Sequence, residues 1–267
     1  MEKDLEDLEK RSIAIIREAK AQFDNLAVLW STGKDSTLTL ALCRKAFYGQ
    51  IPFPVIHIDT GYKFPEIYKF REEIAEEWDL DLVVAQNQEA IENGMSPEEG
   101  RMECCTQLKT IPLKRLIRKE GYDALLVSIR RDEHGVRAKE RTFSPRDEDF
   151  KWDYKNQPAE MWDIYVKPAE DYSHVRVHPI LHWTELDAWR YVKQENLPVN
   201  PLYLAKDGER YRSLGCQPCT VPVPSEAQTL DQIIQELETT EISERAGRAQ
   251  DKEKAYMMQK LRSLGYM

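Results

Sequence analysis

Three groups of residues have the types and spacing to do chemistry. The first is Ser31-Thr-Gly-Lys-Asp-Ser36, which sets three hydroxyls, a glycine, a cation and a carboxylate in six positions. Ser31, Thr32 and Ser36 offer hydroxyl donors to an oxyanion, Lys34 adds positive charge, and Gly33 lets the backbone approach closely. The second group follows Arg130: six basic residues lie from Arg130 to Arg146 in a chain of net charge −9. Such a run is often a solvated face, but arginine grips phosphate or sulfate with paired donors, so Arg130, Arg131, Arg137 and Arg141 read as a local anion site. The third is Cys104-Cys105 with Cys216-x-x-Cys219, four of the five cysteines. Two close pairs in a reducing compartment point to metal or redox chemistry before disulfides.

The elements around these groups say how they are held. Leu26 to Trp30 is a short apolar run and reads as a buried strand; a polar turn centred on Gly33 follows, then an apolar-periodic helix from Thr37 to Phe47. The first amides of such a helix have no intrahelical partner and the helix dipole adds positive charge, so the junction suits a phosphate group. A Walker-type loop needs a glycine where this chain has Val28, so that reading fails. Val55 to Ile58 reads as a second strand, ending in Asp59-Thr60-Gly61, where Asp59 could orient magnesium or a nucleotide. His57, inside this strand, reads as a core histidine. A helix near residues 65–78, strands at 80–85, 122–129 and 175–181, and a capping box at Thr184-Glu-Leu-Asp187 complete the pattern. Alternating strands and helices predict an α/β fold with a doubly wound, mostly parallel sheet, whose ligands sit at the carboxyl ends of the strands.

A helix over residues 3–24, with Leu5, Leu8, Ile15, Ile16, Ala19 and Phe23 on one face, packs on that sheet. Residues 86–103 read as a loop over the site and 146–173 as a long functional or partner loop. From Ser225 the chain is polar and helical, with Thr229 as a cap. The expected organisation is one domain over 1–220, with its N-terminal helix at 1–24, and a C-terminal helical extension over 221–267. No window of the 267 residues is apolar enough to span a bilayer and the first residues are too charged for a secretory signal, so a cytoplasmic protein is expected. Net charge −9 argues against nucleic-acid binding by the whole surface.

Ser31-Thr-Gly-Lys-Asp-Ser36 resembles the PP-loop of ATP pyrophosphatases, which cleave ATP between the α and β phosphates and pass AMP to a substrate oxygen. Together with Pro52-Phe-Pro-Val-Ile-His-Ile-Asp-Thr-Gly61, Arg130-Arg-Asp-Glu133, Arg137-Ala-Lys-Glu-Arg141, Trp152-Asp153, Trp183-Thr-Glu185, Pro201-Leu-Tyr203 and Ser243-Glu-Arg-Ala-Gly-Arg248, it resembles the PAPS reductase family. Within that family it is most similar to the small, ATP-handling subunits of bacterial sulfate adenylyltransferase. The resemblance implies a PP-loop fold of the adenine nucleotide α-hydrolase type, ATP with Mg2+, and adenylyl transfer with release of pyrophosphate. Lys34, Asp35, Arg130 and Arg131 would be catalytic, with Ser31 to Ser36 and Asp59, Thr60 and Gly61 on ATP, and Arg137 and Arg141 on the acceptor anion.

Two departures shape the functional expectation. Cys104-Cys105 with Cys216-x-x-Cys219 resembles the signature by which assimilatory APS reductases hold a [4Fe–4S] cluster, zinc being the metal alternative. The C-terminal cysteine that attacks sulfur in those reductases is absent, since no cysteine follows Cys219. An adenylylating scaffold with a cluster resembles the ATP pyrophosphatase components of DNA phosphorothioation, and that is the leading expectation, with a cysteine desulfurase or DNA-binding partner. The alternatives are a sulfate adenylyltransferase small subunit with a GTPase partner, a reductase-like protein without its catalytic cysteine, and a non-catalytic Fe–S nucleotide sensor. The acceptor, the sulfur donor and the oligomeric state, a homodimer included, are left open by the sequence.

Overall fold

The computed structural model describes residues 3–133, 135–152, 157, 159–162, 164–166, 172–240, 242–245, 247 and 248. In chain order the elements are α1 (Lys3–Gln22), β1 (Leu26–Leu29), α2 (Lys34–Ala46), β2 (Val55–Ile58), α3 (Pro65–Glu77), β3 (Leu82–Ala85), α4 (Gln88–Glu92), α5 (Arg101–Cys105), α6 (Ile111–Glu120), β4 (Ala124–Leu126), β5 (Phe143–Arg146), β6 (His174–Val177), α7 (Glu185–Gln194), β7 (Glu209–Arg210), β8 (Val223–Pro224) and α8 (Leu230–Thr239). Six strands form one sheet in the order β3-β2-β1-β4-β6-β5, every pair parallel except β5 with β6. β7 and β8 make a separate two-stranded ribbon.

The alternation within β1 sends side chains to two cores. Leu26, Val28 and Trp30 join Ile15, Ile16, Leu38, Leu42, Trp189 and Val192, the faces of α1, α2 and α7. Ala27 and Leu29 join Leu113 and Ile117 of α6 on the other side. The six apolar positions read as the buried face of an N-terminal helix do that work in α1 and just beyond: Leu5, Ile15, Ile16, Ala19 and Phe23 are buried and Leu8 packs against them. Both predicted caps form, Thr184 with Asp187 on α7 and Thr229 with Gln232 on α8, each as a reciprocal capping box.

The sheet direction reverses at β1. The chain steps from β1 through β2 to β3 on one side, then crosses to β4 and β6 on the other. The turn after β1 carries Ser31 to Ser36 and the turn after β4 carries Arg130, so the two polar groups legible in sequence meet at the topological switch point.

Several boundaries differ from expectation. The strands predicted at 80–85, 122–129 and 175–181 pair only over Leu82–Ala85, Ala124–Leu126 and His174–Val177: the first two begin two residues late, and the apolar runs of the last two continue past the ladder into the ligand edge. Residues 86–103, expected as a loop, hold α4, a 3-10 turn at Pro97–Glu99 and the start of α5. Antiparallel β5 gives no strand signal in the sequence because Pro145 and Arg146 interrupt its apolar pattern; it is an edge strand, where a missing N–H is tolerated. Parts of the 146–173 segment, Asp153 of the quoted Trp152-Asp153 pair, and the extension beyond residue 248 lie outside the described residues.

β5 and β6 enclose a buried ionic network. Arg146, Arg176, His174 and His178 are all buried, and Glu140, fully buried, accepts from Arg146 Nη2 at 3.0 Å and from Ser144 Oγ at 2.7 Å. Burial brings Arg146 down to about 9. Removing one partner of such a pair leaves an uncompensated buried charge. Glu140→Gln is therefore expected to lower unfolding stability by about 3 kcal/mol, read from urea denaturation; a change within 0.5 kcal/mol, roughly the surface-mutation range, would show that Glu140 carries no such charge balance.

Candidate active site

β1 delivers its loop rigidly. Trp30 Nε1 donates to Thr37 Oγ1 at 3.1 Å, tying the strand end to α2. Ser31 N–H donates to Ser36 Oγ at 3.2 Å, the Ser31 and Ser36 hydroxyls lie 3.1 Å apart, and Ser36 Oγ donates to Gly33 O at 3.0 Å. The left-handed residue is Thr32, at φ 65°, where a non-glycine is strained. Gly33 sits at φ −79°, so its need is space: a Cβ there would lie 3.2 Å from the Tyr203 hydroxyl. That hydroxyl accepts from Lys34 N–H at 3.0 Å, and Gly33 brings no capping side chain to the amides of α2.

Lys34 and Arg130 are the most deeply buried cations beside the loop. Lys34 Nζ donates to Asp35 Oδ2 at 3.1 Å and to Glu244 Oε1; Arg130 donates to Asp35 Oδ1, to Glu244 Oε2 and, from Nε at 3.1 Å, to Asp132 Oδ1. Asp132 Oδ2 in turn accepts from the Glu185 N–H at the start of α7, at 2.7 Å. The carboxylates hold both cations charged: Lys34 and Arg130 are raised despite burial, and Arg130 and Lys34 bring Glu244 down to about 2 against the burial that would raise it. Lys34, Asp35, Ser31, Gly33 and Ser36 line one cavity, which β1, β2 and the segment after β4 back with Leu29, Ile56, Ile58 and Ile129. That apolar wall suits a flat base, and the loop beside it suits phosphates.

The remaining predicted residues divide. Arg137 lines the cavity, paired with Glu133, which Arg245 also meets at 2.9 Å. Arg131 instead donates to His182 Nδ1 at 2.7 Å and to Glu140 O at 3.1 Å, and Arg141 is exposed; neither lines the cavity. Thr32 is buried behind the loop with its hydroxyl on Ser31 O at 2.6 Å. Asp59 accepts from Gly61 N–H at 2.9 Å and from the Tyr68 hydroxyl at 3.0 Å, holding the turn at the start of α3. Thr60 lies 3.2 Å from Cys216 Sγ, and Gly61 takes the positive φ of 73° that the turn requires. His57 is a core histidine as read, fully buried with Nδ1 at 3.0 Å from Trp30 O.

Sequence reasoning missed much of the opposite wall: Lys63, Lys109, Tyr203, Ser213, Glu244, Arg245 and Arg248 also line the cavity. The signal available was the Ser243-to-Arg248 stretch quoted above, whose residues carry charge at three of six positions. Ser128 and Ser213 have buried hydroxyls without a hydrogen-bond partner, and both face this cavity. Burial and the charges of Lys109 and Arg248 bring Lys63 down to about 8. The same cations, with the Thr60 hydroxyl, bring Cys216 down to about 7 against burial.

The four cysteines converge behind that wall. Cys104 is pushed up to about 12 by burial and by Cys105, Cys216 and Cys219, and all four are buried free thiols. Among the described residues, no group of three or more His, Cys, Asp or Glu is arranged to hold a metal ion. A ligand set for the expected [4Fe–4S] cluster or its zinc alternative is thus not shown, and no chemical step passes through either.

A phosphoadenosine phosphosulfate reductase domain is recognised over residues 25–222, and the chain belongs to that family. Within it the chain is 43% identical to sulfate adenylyltransferase subunit 2 of Psychromonas ingrahamii, covering 98% of this chain and 97% of that protein. It is 41% identical to the subunit 2 of Pseudomonas entomophila, over 98% and 97%. Among solved structures, the fold is similar to phosphoadenylyl-sulfate reductase of Candida auris, with TM-score 0.56 and 18% identity over 83% of this chain and 98% of that one. It is also similar to FMN adenylyltransferase of Candida glabrata, with TM-score 0.57 and 17% identity over 82% of this chain and 63% of that one.

These relatives correct the leading sequence-based expectation. A DNA-phosphorothioation component was inferred from four cysteines added to an adenylylating scaffold; the near full-length similarity is to sulfate adenylyltransferase subunit 2, the stated alternative. Four close cysteines do not by themselves select that function over the one that the full-length similarity supports. On localisation, no helix among the described residues is long and apolar enough to cross a membrane.

Proposed function

We propose that this chain is the ATP-using subunit of a sulfate adenylyltransferase, converting ATP and sulfate into adenylyl sulfate and pyrophosphate. The observation that carries the reading is identity of 43% to subunit 2 proteins along 98% of the chain, and the site chemistry supports it. ATP enters with its magnesium, its base toward the apolar wall of Leu29, Ile56, Ile58 and Ile129, and its β and γ phosphates over Ser31 to Ser36. A sulfate oxygen attacks the α phosphorus, the bond from that phosphorus to the α–β bridging oxygen breaks, and the electron pair leaves on pyrophosphate. Loop amides and Lys34 stabilise that developing charge, with Arg130 behind them; positioning and electrostatics are the main sources of catalysis in such transfers. Lys63 and Lys109 supply the positive field that brings a second oxyanion beside the first. The relatives' designation as subunit 2 supports a partner subunit, a GTPase under this reading.

The test is radiolabelled pyrophosphate exchange into ATP by the chain co-purified with its partner. Exchange is expected only when sulfate is present, at a rate at least about tenfold above the sulfate-free background, one decade being 1.4 kcal/mol of barrier. Exchange indifferent to sulfate would sink the reading.

A further inference from the structure

Two carboxylates bridge Lys34 and Arg130: Asp35 of the loop, and Glu244, which comes from far along the chain. Asp35 adjoins Lys34 in sequence and Asp132 lies close to Arg130, with Asp35 also reaching Arg130 across the fold, but Glu244 is 210 residues from Lys34 and 114 from Arg130. It reaches them only because a C-terminal strap is docked across the cavity. Arg212 Nη1 donates to Ile242 O, Arg245 pairs with Glu133 at 2.9 Å, Val221 N–H donates to Gly247 O at 3.0 Å, and Arg248 donates to Leu214 O. The docking is close: a Cβ on Gly247 would fall 2.3 Å from Val221 O.

The chemistry at the strap's tip is that of a phosphate. One carboxylate spans two cations, one oxygen on Lys34 Nζ and the other on Arg130 Nη2, as two oxygens of a single phosphoryl group would. The group is buried, so it shares those cations with no solvent. Around two positive charges stand three carboxylates, Asp35, Asp132 and Glu244. Pyrophosphate placed on Lys34 would meet Glu244 oxygen to oxygen, an unscreened like-charge contact. Both anions cannot hold the same donors.

We propose that Glu244 is an internal stand-in for the pyrophosphate group, and that the 243–248 strap docks and undocks as Glu244 and pyrophosphate exchange places on Lys34 and Arg130. The inference rests on the loop being the pyrophosphate holder and concerns the leaving group, not the acceptor. Its consequence is regulatory: the strap weakens the hold on the product and returns as pyrophosphate departs, while its own arginines, Arg245 and Arg248, move with it. Entry of ATP is then linked to the loosening of the strap that carries Glu244.

The experiment uses inorganic pyrophosphate with Mg2+ as probe, on the full chain with whatever partner co-purifies. Glu244→Gln keeps the shape and removes the competing charge, so the variant is expected to bind pyrophosphate about tenfold tighter by calorimetry, and its lowered melting temperature should be restored by the probe. In the unmutated protein, the amides of 243–248 should exchange with deuterium faster once pyrophosphate is added. Tight binding by the wild type with equal or weaker binding by Glu244→Gln, or protection of the strap on addition of the probe, overturns the inference and leaves the sulfate reading standing. If neither protein binds pyrophosphate, the assignment of the loop falls, and this inference with it. Sulfate-independent exchange would instead remove the acceptor while leaving the stand-in untouched.

Discussion

Replacing Lys34 with alanine is expected to reduce ATP–pyrophosphate exchange by about 10²–10³-fold, the scale on which a single positioned electrostatic donor acts. The ammonium lies in a cavity wall with its side chain 1% exposed, so water cannot take over its charge. Deleting it also leaves Asp35 and Glu244 facing Arg130 alone, a buried excess of negative charge that repels the phosphates further. The loss should appear in kcat and in pyrophosphate affinity together, since the same donor serves the leaving group and the product. Lys34→Arg keeps the charge but replaces a compact ammonium with a planar guanidinium whose donors point elsewhere, and it should recover only part of the activity. Circular dichroism and a melting curve on each variant separate loss of chemistry from loss of fold. Exchange within threefold of the wild type would remove Lys34 from the mechanism.

The second large effect is on stability against acid. His57, His174 and His178 are buried, and burial holds all three below the ordinary histidine value, His57 down to about 3. His57 and His178 each donate Nδ1–H to a main-chain carbonyl, of Trp30 at 3.0 Å and Arg141 at 2.8 Å, which neutral imidazole can do. Arg146 and Arg176 stand near His174 and His178, and Lys63 and Arg71 near His57, so a second positive charge at any of them is opposed. Below an unfolded value of about 6.5, the unfolded chain binds protons that the folded chain refuses. Stability is therefore full above that pH and falls as pH drops through and below it. Each histidine contributes a slope of about 1.4 kcal/mol per pH unit, and three together about 4. Urea midpoints at pH 7.5, 6.0 and 5.0 should fall steeply across the last interval, with proton uptake on unfolding approaching three. A flat midpoint over that range would mean that the folded protein carries these histidines charged.

The basic segment after β4 is divided among several tasks. In sequence Arg130 to Arg146 is one run of positive charge. In the fold Arg137 lines the cavity, Arg130 lies fully buried behind it on Asp35 and Glu244, Arg131 fastens a loop through His182 and Glu140 O, Arg146 goes to the interior on Glu140, and Arg141 meets solvent. Successive residues leaving a strand end point in different directions, so a charge run does not say which members share a site.

The sequence by itself determined the strand, loop and helix that hold phosphate. Those are local: Leu26 to Trp30 must be buried, Gly33 must leave room, and α2 must begin with unpaired amides, whatever surrounds them. It also determined the parallel, doubly wound sheet, because alternating apolar strands and amphipathic helices have few other ways to bury both faces. The tertiary structure alone decided the other wall. Tyr203 on the Lys34 amide, Glu244 between Lys34 and Arg130, and Lys63, Lys109 and Arg248 around Cys216 come from segments more than a hundred residues apart in some pairs. The same holds for the thiols: spacing brought Cys104, Cys105, Cys216 and Cys219 under suspicion as one ligand set, but ligation depends on where four sulfur atoms point after packing, which no spacing encodes. Local propensity fixes the first turn of a helix; burial and charge compensation across the whole chain fix what faces it.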